Sequence, residues 1–230
     1  MATLFDEYKT SYGDVVEQSI GFSGLKHDFF LVAKADYLRR LVAARGLREG
    51  GRAVAALDVG CGIGSLHPYL DGIFDSIAGC DISAESIERA RRERPGIDYA
   101  AYQPPRLPYA DGAFDLAFAS CVLHHVPQEA WAGFLSEMRR VVRPGGIACL
   151  IEHNPLNPLT RLAVFRCPFD EDAVLLSARS ASRLMREAGF ADIENEHILL
   201  LPSARPLAQR VERAFSSLPL GAQYGTSARV

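Results

Sequence analysis

Short apolar runs closed by glycine or a small polar residue alternate along this chain with amphipathic stretches at helical spacing. In HDFFLVAKADYLRRLVAARG, 27–46, Phe30, Ala33, Tyr37, Leu41 and Ala44 recur at a helical period and Gly46 supplies a stop. AVAALDVG, 53–60, is an apolar run ending in glycine and reads as a buried strand, after which Ser65 is placed to cap a helix. SIAGCDIS, 76–83, is a second strand, and Ser83 with Glu85 opens the helix that follows. IDYAAY (97–102), FDLAFAS (114–120) and IACLIE (147–152) are three further strands. Between the last two, EAWAGFLSEMRRVV (129–142) carries Trp131, Phe134, Leu135, Met138, Val141 and Val142 on one helical face, and Arg143-Pro144-Gly145-Gly146 ends it.

Short apolar strands alternating with helices predict an α/β fold, a doubly wound parallel sheet covered on both faces. The tail adds a helix in SARSASRLMREAGF (177–190), a strand in DIENEHILLL (192–201), a helix in LAQRVERAF (207–215) and a last strand in GAQYGTSARV (221–230). That strand closes the chain, so the end of the sheet is free to be antiparallel. At 230 residues, without repeats or low-complexity linkers, the chain reads as one domain. Residues 1–50 form a helical cap, 53–152 the core, 153–190 an insertion and 191–230 the rest of the sheet.

Composition narrows the function. A hydrophobic fraction of 48% and a charged fraction of 23% describe a soluble globular protein. The net charge of −3 draws the chain neither to nucleic acid nor to an acidic membrane, and in ERARRERP, 88–95, Glu88 and Glu93 interrupt the arginines as on a solvated helix face. Five scattered cysteines without a C-x-x-C pair fit a reducing compartment. The polar N-terminus and the lack of an apolar run of the ~20 residues a membrane span requires lead to a cytoplasmic, membrane-free expectation.

The chemistry is concentrated in LDVGCGIGSL, 57–66. Gly60, Gly62 and Gly64 lie where the strand meets its turn, while a dinucleotide fingerprint would need a third glycine at the place of Ser65. Asp81 ends the second strand, where a carboxylate accepts from both hydroxyls of a ribose. Asp58 is placed to face the positive end of a methionine moiety or to order the loop. Up to this point a nicotinamide dinucleotide and S-adenosylmethionine both remain open.

The order of DVGCGIG, GCDIS, LPYADGAFDLAFASCVLHHV and RPGGIACLIE closely resembles class I S-adenosylmethionine-dependent methyltransferases, of the small single-domain type acting on small molecules. The resemblance spans roughly 53–152 and implies a Rossmann-like, seven-stranded sheet with an antiparallel last strand. It implies S-adenosylmethionine as cofactor, with Gly60, Cys61, Gly62 and Gly64 beneath it and Asp58 beside them. Asp81 then takes the ribose, Ile82 packs on adenine, and Ser120 lends its carbonyl to the methionine ammonium. Gln103 stands where the family often has an acid for the adenine amino group.

The resemblance also implies a histidine base oriented by a carboxylate, and the candidates are His124, His125, Glu152 and His153. No metal centre is expected from these four, because adjacent histidines should point apart. The acceptor pocket should be roofed by residues 1–50, with Tyr8, Tyr12 and Phe22, and by 152–176, where LTRLAVF is a short helix and Asn154, Asn157 and Arg161 are polar contacts or turn makers. The expected partner is a small-molecule acceptor, a hydroxyl of a sugar or secondary metabolite. N-methylation, or a cofactor-retaining cyclase or binding module, remains an alternative. Nucleic-acid methylation is disfavoured: Ser120-Cys121-Val122-Leu123 stands where enzymes that methylate exocyclic base nitrogens carry an Asn/Asp-Pro-Pro-aromatic segment, and no additional basic domain is expected.

Overall fold

A computed structural model describes residues 17–21, 24–203 and 205–230. Tyr8, Tyr12 and Phe22 lie outside the described residues. The strands are β1 (Ala55–Val59), β2 (Ser76–Asp81), β3 (Asp98–Ala101), β4 (Phe114–Ser120), β5 (Val142–His153), β6 (Ala191–Ile198) and β7 (Gln223–Arg229). The helices are α1 (His27–Ala44), α2 (Ala84–Glu93), α3 (Trp131–Val141), α4 (Pro158–Arg166), α5 (Ala178–Glu187) and α6 (Pro206–Ala214).

One seven-stranded sheet runs in the order β3-β2-β1-β4-β5-β7-β6. Parallel pairing joins β1, β2, β3, β4 and β5, whereas β7 pairs antiparallel with both β5 and β6. Strand order reverses between β1 and β4, so a crevice opens beyond their carboxyl ends. Side chains alternate between the two faces. Ala117 and Ala119 of β4 pack with Leu135, Met138 and Val141 of α3 and Met185 of α5. Leu116 and Phe118 point the other way, onto Leu31, Leu38, Leu41 and Val42 of α1.

Three elements differ from the sequence reading. β5 begins at Val142 and takes in Arg143-Pro144-Gly145-Gly146, read above as the stop between helix and strand. No α-helix follows the glycine turn; a 3-10 turn, His67–Tyr69, occupies its place and Ser65 caps nothing. Gly72, at φ +76°, breaks helical continuation soon after the turn, and the chain passes on to β2. On α1 the buried face is Leu31, Lys34, Ala35, Leu38, Leu41 and Val42, with Tyr37, while Ala44 is exposed. The apolar stripe is thus turned by about one residue, and Phe30 and Ala33 sit at its half-buried border. The short helix in the insertion forms as expected, with Asn157 Oδ1 accepting from Leu159 and Thr160 N–H at its start.

Candidate active site at the carboxyl ends of β1, β4 and β5

The crevice holds a cavity of about 1290 Å³. Drug-sized ligand pockets span ~300–1,000 Å³, so two molecules fit side by side here. The turn after β1 forms one wall. Gly60 and Cys61 donate to Cys80 O at 2.7 and 3.0 Å, which holds the turn against β2. Gly62 adopts φ +53°, and a Cβ built there meets nothing within 4 Å. The bare backbone therefore faces open space, the close approach that a glycine turn offers a ligand. Gly64 serves packing instead, since a Cβ there would lie 2.6 Å from the Tyr99 hydroxyl, and Gly64 does not line the cavity.

Asp81 closes this wall. Its Oδ2 accepts from Gly62 N–H and its Oδ1 from Ser83 N–H, both at 2.8 Å. Burial raises its pKa against the lowering effect of those two N–H groups. Each carboxylate oxygen still has a lone-pair site to offer. Ile82 and Ser120 also line the cavity. Gln103 does not: it is exposed, and Tyr102 beside it faces inward, because neighbours in extended chain point to opposite sides.

Asp58 is 3% exposed, and its Oδ2 lies 3.0 Å from His67 Nε2. His67 Nδ1 reaches the Tyr99 hydroxyl at 2.5 Å, and the two rings stack at 5.3 Å. The carboxylate thus orders the loop through a buried relay. His67 was not among the sequence candidates; an Asp and a His nine residues apart give no signal unless the turn between them is known.

The opposite wall is the 3-10 turn Leu123–His125 after β4. Trp131 Nε1 donates to Leu123 O and Val126 O at 3.0 and 2.9 Å, and Val174 N–H donates to His124 O at 2.9 Å. From β5, fully buried Glu152 accepts from Val122 and Leu123 N–H through Oε1 at 3.2 and 2.8 Å. Its Oε2 meets His124 Nδ1 at 2.5 Å. Glu152 does not line the cavity; His124, His125 and His153 do.

Asp170, from the insertion, brings the two histidines together. Its Oδ1 lies 3.4 Å from Nε2 of His124 and 3.4 Å from Nε2 of His125. The expected divergence of adjacent histidines does not occur: the tight turn and the shared carboxylate make both imidazoles converge, with ring centroids 4.1 Å apart. Burial works against a charged His124, but the Glu152 carboxylate and then Asp170 outweigh it and raise its pKa to about 10. Burial, and then the charge on His124, push His125 down to about 4. Glu152 and Asp170 are both lowered, the pull of His124 overcoming their burial. The pair therefore splits into a charged His124 and a neutral His125. Separated pKa values of this kind distinguish a charge-holding group from a proton acceptor.

Lys34, Cys121 and Gln223 complete the floor. Cys121 Sγ accepts from Lys34 Nζ at 3.3 Å and from Gln223 Nε2 at 3.4 Å, and Gln223 Nε2 also lies 3.4 Å from His153 Nδ1. Burial opposes a Cys121 thiolate, yet Lys34 and His153 more than offset it and bring the thiol to about 6. Sequence reasoning missed all three and Asp170. Lys34 did leave a signal, a charge three residues after Leu31 and four before Leu38 on the apolar side of α1. Asp170 left none, because Glu171 and Asp172 are equivalent to it in sequence. Of the insertion's polar candidates only Asn157 lines the cavity. Asn154 instead donates to Pro219 O and Gly221 O at 3.1 and 2.8 Å, and Arg161 is exposed.

Comparison with known proteins gives this geometry a family. Residues 57–150 match the family model described as a methyltransferase domain. Over 162 residues the chain is 34% identical to the demethylmenaquinone methyltransferase of Paenarthrobacter aurescens (strain TC1), spanning 70% of this chain and 58% of that protein. Over 200 residues it is 32% identical to the O-methyltransferase cnsE of Penicillium expansum, covering 83% of this chain and 69% of that one. A solved methyltransferase of Thermotoga maritima, described as SAM-dependent and as a possible histamine N-methyltransferase, matches with a TM-score of 0.67. That likeness covers 100% of this chain and 99% of the other at 21% identity, and it speaks for the fold. Sequence relatives, family model and strand order agree: the chain belongs to the class I S-adenosylmethionine-dependent methyltransferases.

Proposed function

We propose that this protein transfers the methyl group of S-adenosylmethionine to a hydroxyl on an apolar, ring-bearing small molecule. The observation that carries this reading is the lining of the chamber. Leu25, Phe29, Phe30, Leu159, Val164 and Phe169 face the same cavity as the glycine turn and the histidines. Such walls suit an aromatic or alicyclic acceptor; they would leave most hydroxyls of a sugar unpaired, at a cost of about 1–3 kcal/mol for each buried group. A secondary metabolite is therefore favoured over a sugar. The names of the two relatives, one a demethylmenaquinone enzyme and one an O-methyltransferase, lean the same way.

The cofactor supplies a methyl group already activated on a sulfonium. Gly60, Cys61 and Gly62 run beneath it in this reading, with Asp81 on the ribose, Ile82 against adenine and the Ser120 carbonyl facing the ammonium. The walls act chiefly by aligning acceptor oxygen and methyl carbon, which contributes ~7–11 kcal/mol. His125, held at the cavity wall against Asp170, takes the hydroxyl proton; a positioned base contributes ~10²–10⁴-fold. His124 stays charged between Glu152 and Asp170 and fixes the carboxylate that steadies His125.

The test is a panel of phenols and hydroquinones, sugars and amines, each incubated with S-adenosylmethionine, with S-adenosylhomocysteine formation read by mass spectrometry. Transfer to the phenolic class is expected, with a fall of about 10²–10⁴-fold in kcat for His125→Ala and little change in cofactor affinity. Turnover confined to sugars or amines, or undiminished in His125→Ala, would overturn the assignment.

A further inference from the structure

Cys61, Cys121 and Cys167 line the cavity, and their sulfurs differ in what they do. The Cys61 thiol donates to Gly62 O at 3.6 Å, as a neutral S–H does. Buried Cys149 likewise donates, to the Tyr37 hydroxyl at 3.7 Å. Cys121 Sγ instead accepts two N–H hydrogen bonds, one of them from the Lys34 ammonium. Lys34 is 8% exposed, and among the described residues the sulfur is the hydrogen-bond partner found for its Nζ. A buried ammonium is stable where an anion faces it, and a thiolate is the anion this site provides.

Every element around the sulfur contributes. Lys34 comes from α1, Gln223 and the Tyr224 hydroxyl from β7, His153 and the opposing charge of Glu152 from β5, and the charged His124 from the turn after β4. Burial raises the thiols of Cys61 and Cys167, whereas the balance at Cys121 lowers it to about 6. The backbone is unusual too. Cys121 sits at φ +57° with its N–H bound to Ile151 O at 2.7 Å, a left-handed conformation that non-glycine residues rarely adopt and that gathers at functional positions. Finally, Gln223 is 4% exposed and lines the cavity, and among the described residues its Oε1 has no hydrogen-bond partner. A buried acceptor of this kind beside a thiolate points to a ligand that brings a donor.

We propose that Cys121 is a thiolate nucleophile of the chamber that takes electrophilic quinones and enones as covalent ligands. Sulfur bonds to the carbon β to a carbonyl, the C=C π pair moves onto the carbonyl oxygen, and Lys34 gives that oxygen a proton, which it regains from solvent. In a quinone adduct the ring C–H proton then shifts to the second carbonyl oxygen. The product is a hydroquinone whose O–H is the donor that Gln223 Oε1 lacks. No external oxidant or reductant is needed, and the protein gains the whole mass of the quinone. This site stands whether or not the methyl acceptor is correctly assigned.

The experiment is labelling of the full chain with N-ethylmaleimide from about pH 5 to about pH 8, with peptide mass spectrometry at each cysteine. Cys121 should react before Cys61 and Cys167, with a rate half-maximal near pH 6. Lys34→Met should slow labelling about threefold at about pH 6.5, as a pKa rise of about one unit requires, and Lys34→Arg should restore most of the rate. With 1,4-benzoquinone the adduct should add the intact quinone mass and be absent in Cys121→Ser. First reaction at Cys61 or Cys167, or a Cys121 rate still climbing steeply at about pH 8, would overturn the proposal. If circular dichroism shows Lys34→Met unfolded, Lys34→Arg and the wild-type pH profile decide.

Discussion

Glu152 never meets the cavity, yet it fixes the geometry there, because one carboxylate holds two backbone N–H groups of the histidine turn and the His124 ring. Glu152→Gln keeps a similar shape and leaves the buried His124 charge without its main partner, so it should destabilise the fold by about 3–5 kcal/mol in urea unfolding. The pH dependence has a defined sign. His124 has a raised folded pKa, so its contribution is complete below the ordinary imidazole value of ~6.5 and is lost as pH rises through about 10. Glu152 and Asp170 have lowered pKa values, so their contribution is present above the ordinary carboxylate value of ~4 and is lost as pH falls below it. The stability gap between wild type and Glu152→Gln should therefore be widest around neutral pH and narrow in both acid and strong alkali. A gap constant across that range would mean that the ion pair contributes nothing.

Among elements, the parts legible in the sequence are those fixed by short-range pattern. Buried strands announce themselves as apolar runs, and Ser83 caps α2 through its hydroxyl as its position suggested, accepting from Ser86 N–H at 3.1 Å. The turn after β1 was harder: its glycines were visible, but His67 and Tyr99 are 32 residues apart and their contact exists only once β1, β2 and β3 are paired. The same limit hid Lys34 and Asp170, which reach the histidine turn from α1 and from the insertion. Gly62 lets the turn's role be tested apart from its stability. Its added methyl meets no protein atom within 4 Å, so Gly62→Ala should cost only the left-handed backbone, about 1–2 kcal/mol in urea unfolding. The methyl would stand in the cavity, however, and calorimetric titration should show S-adenosylmethionine affinity reduced at least about tenfold, an effect of ~1.4 kcal/mol or more. Unchanged affinity would move the cofactor away from the turn.

On the scale of the whole molecule, the two ends of the sheet play different parts. The carboxyl ends of β1, β4 and β5 hold the cavity, with its buried charges and strained Cys121 backbone, while the opposite end is tied for stability. Asp115, 8% exposed on β4, accepts from Ala55 N–H at the start of β1 at 2.8 Å and from Arg143 Nε of β5 at 2.6 Å. One carboxylate thus fastens the three central strands at the end away from the site. Its burial favours the neutral acid, but the Ala55 N–H and then Arg143 outweigh that and hold its pKa below the usual carboxylate range. A lowered folded pKa means that the stabilisation is present above the unfolded value of ~3.9 and is lost as pH falls through the folded one. Asp115→Asn should therefore lower stability by about 2–3 kcal/mol at neutral pH, where a charge-assisted hydrogen bond is lost and Arg143 is left without its partner. Toward about pH 3 and below, the variant and the wild type should converge. Because no residue of this tie lines the cavity, kcat and cofactor affinity should stay near wild-type values below the melting range. A variant that lost turnover while still folded would show that the far end of the sheet sets the spacing of β1, β4 and β5 at the site, and that the two ends are not separable.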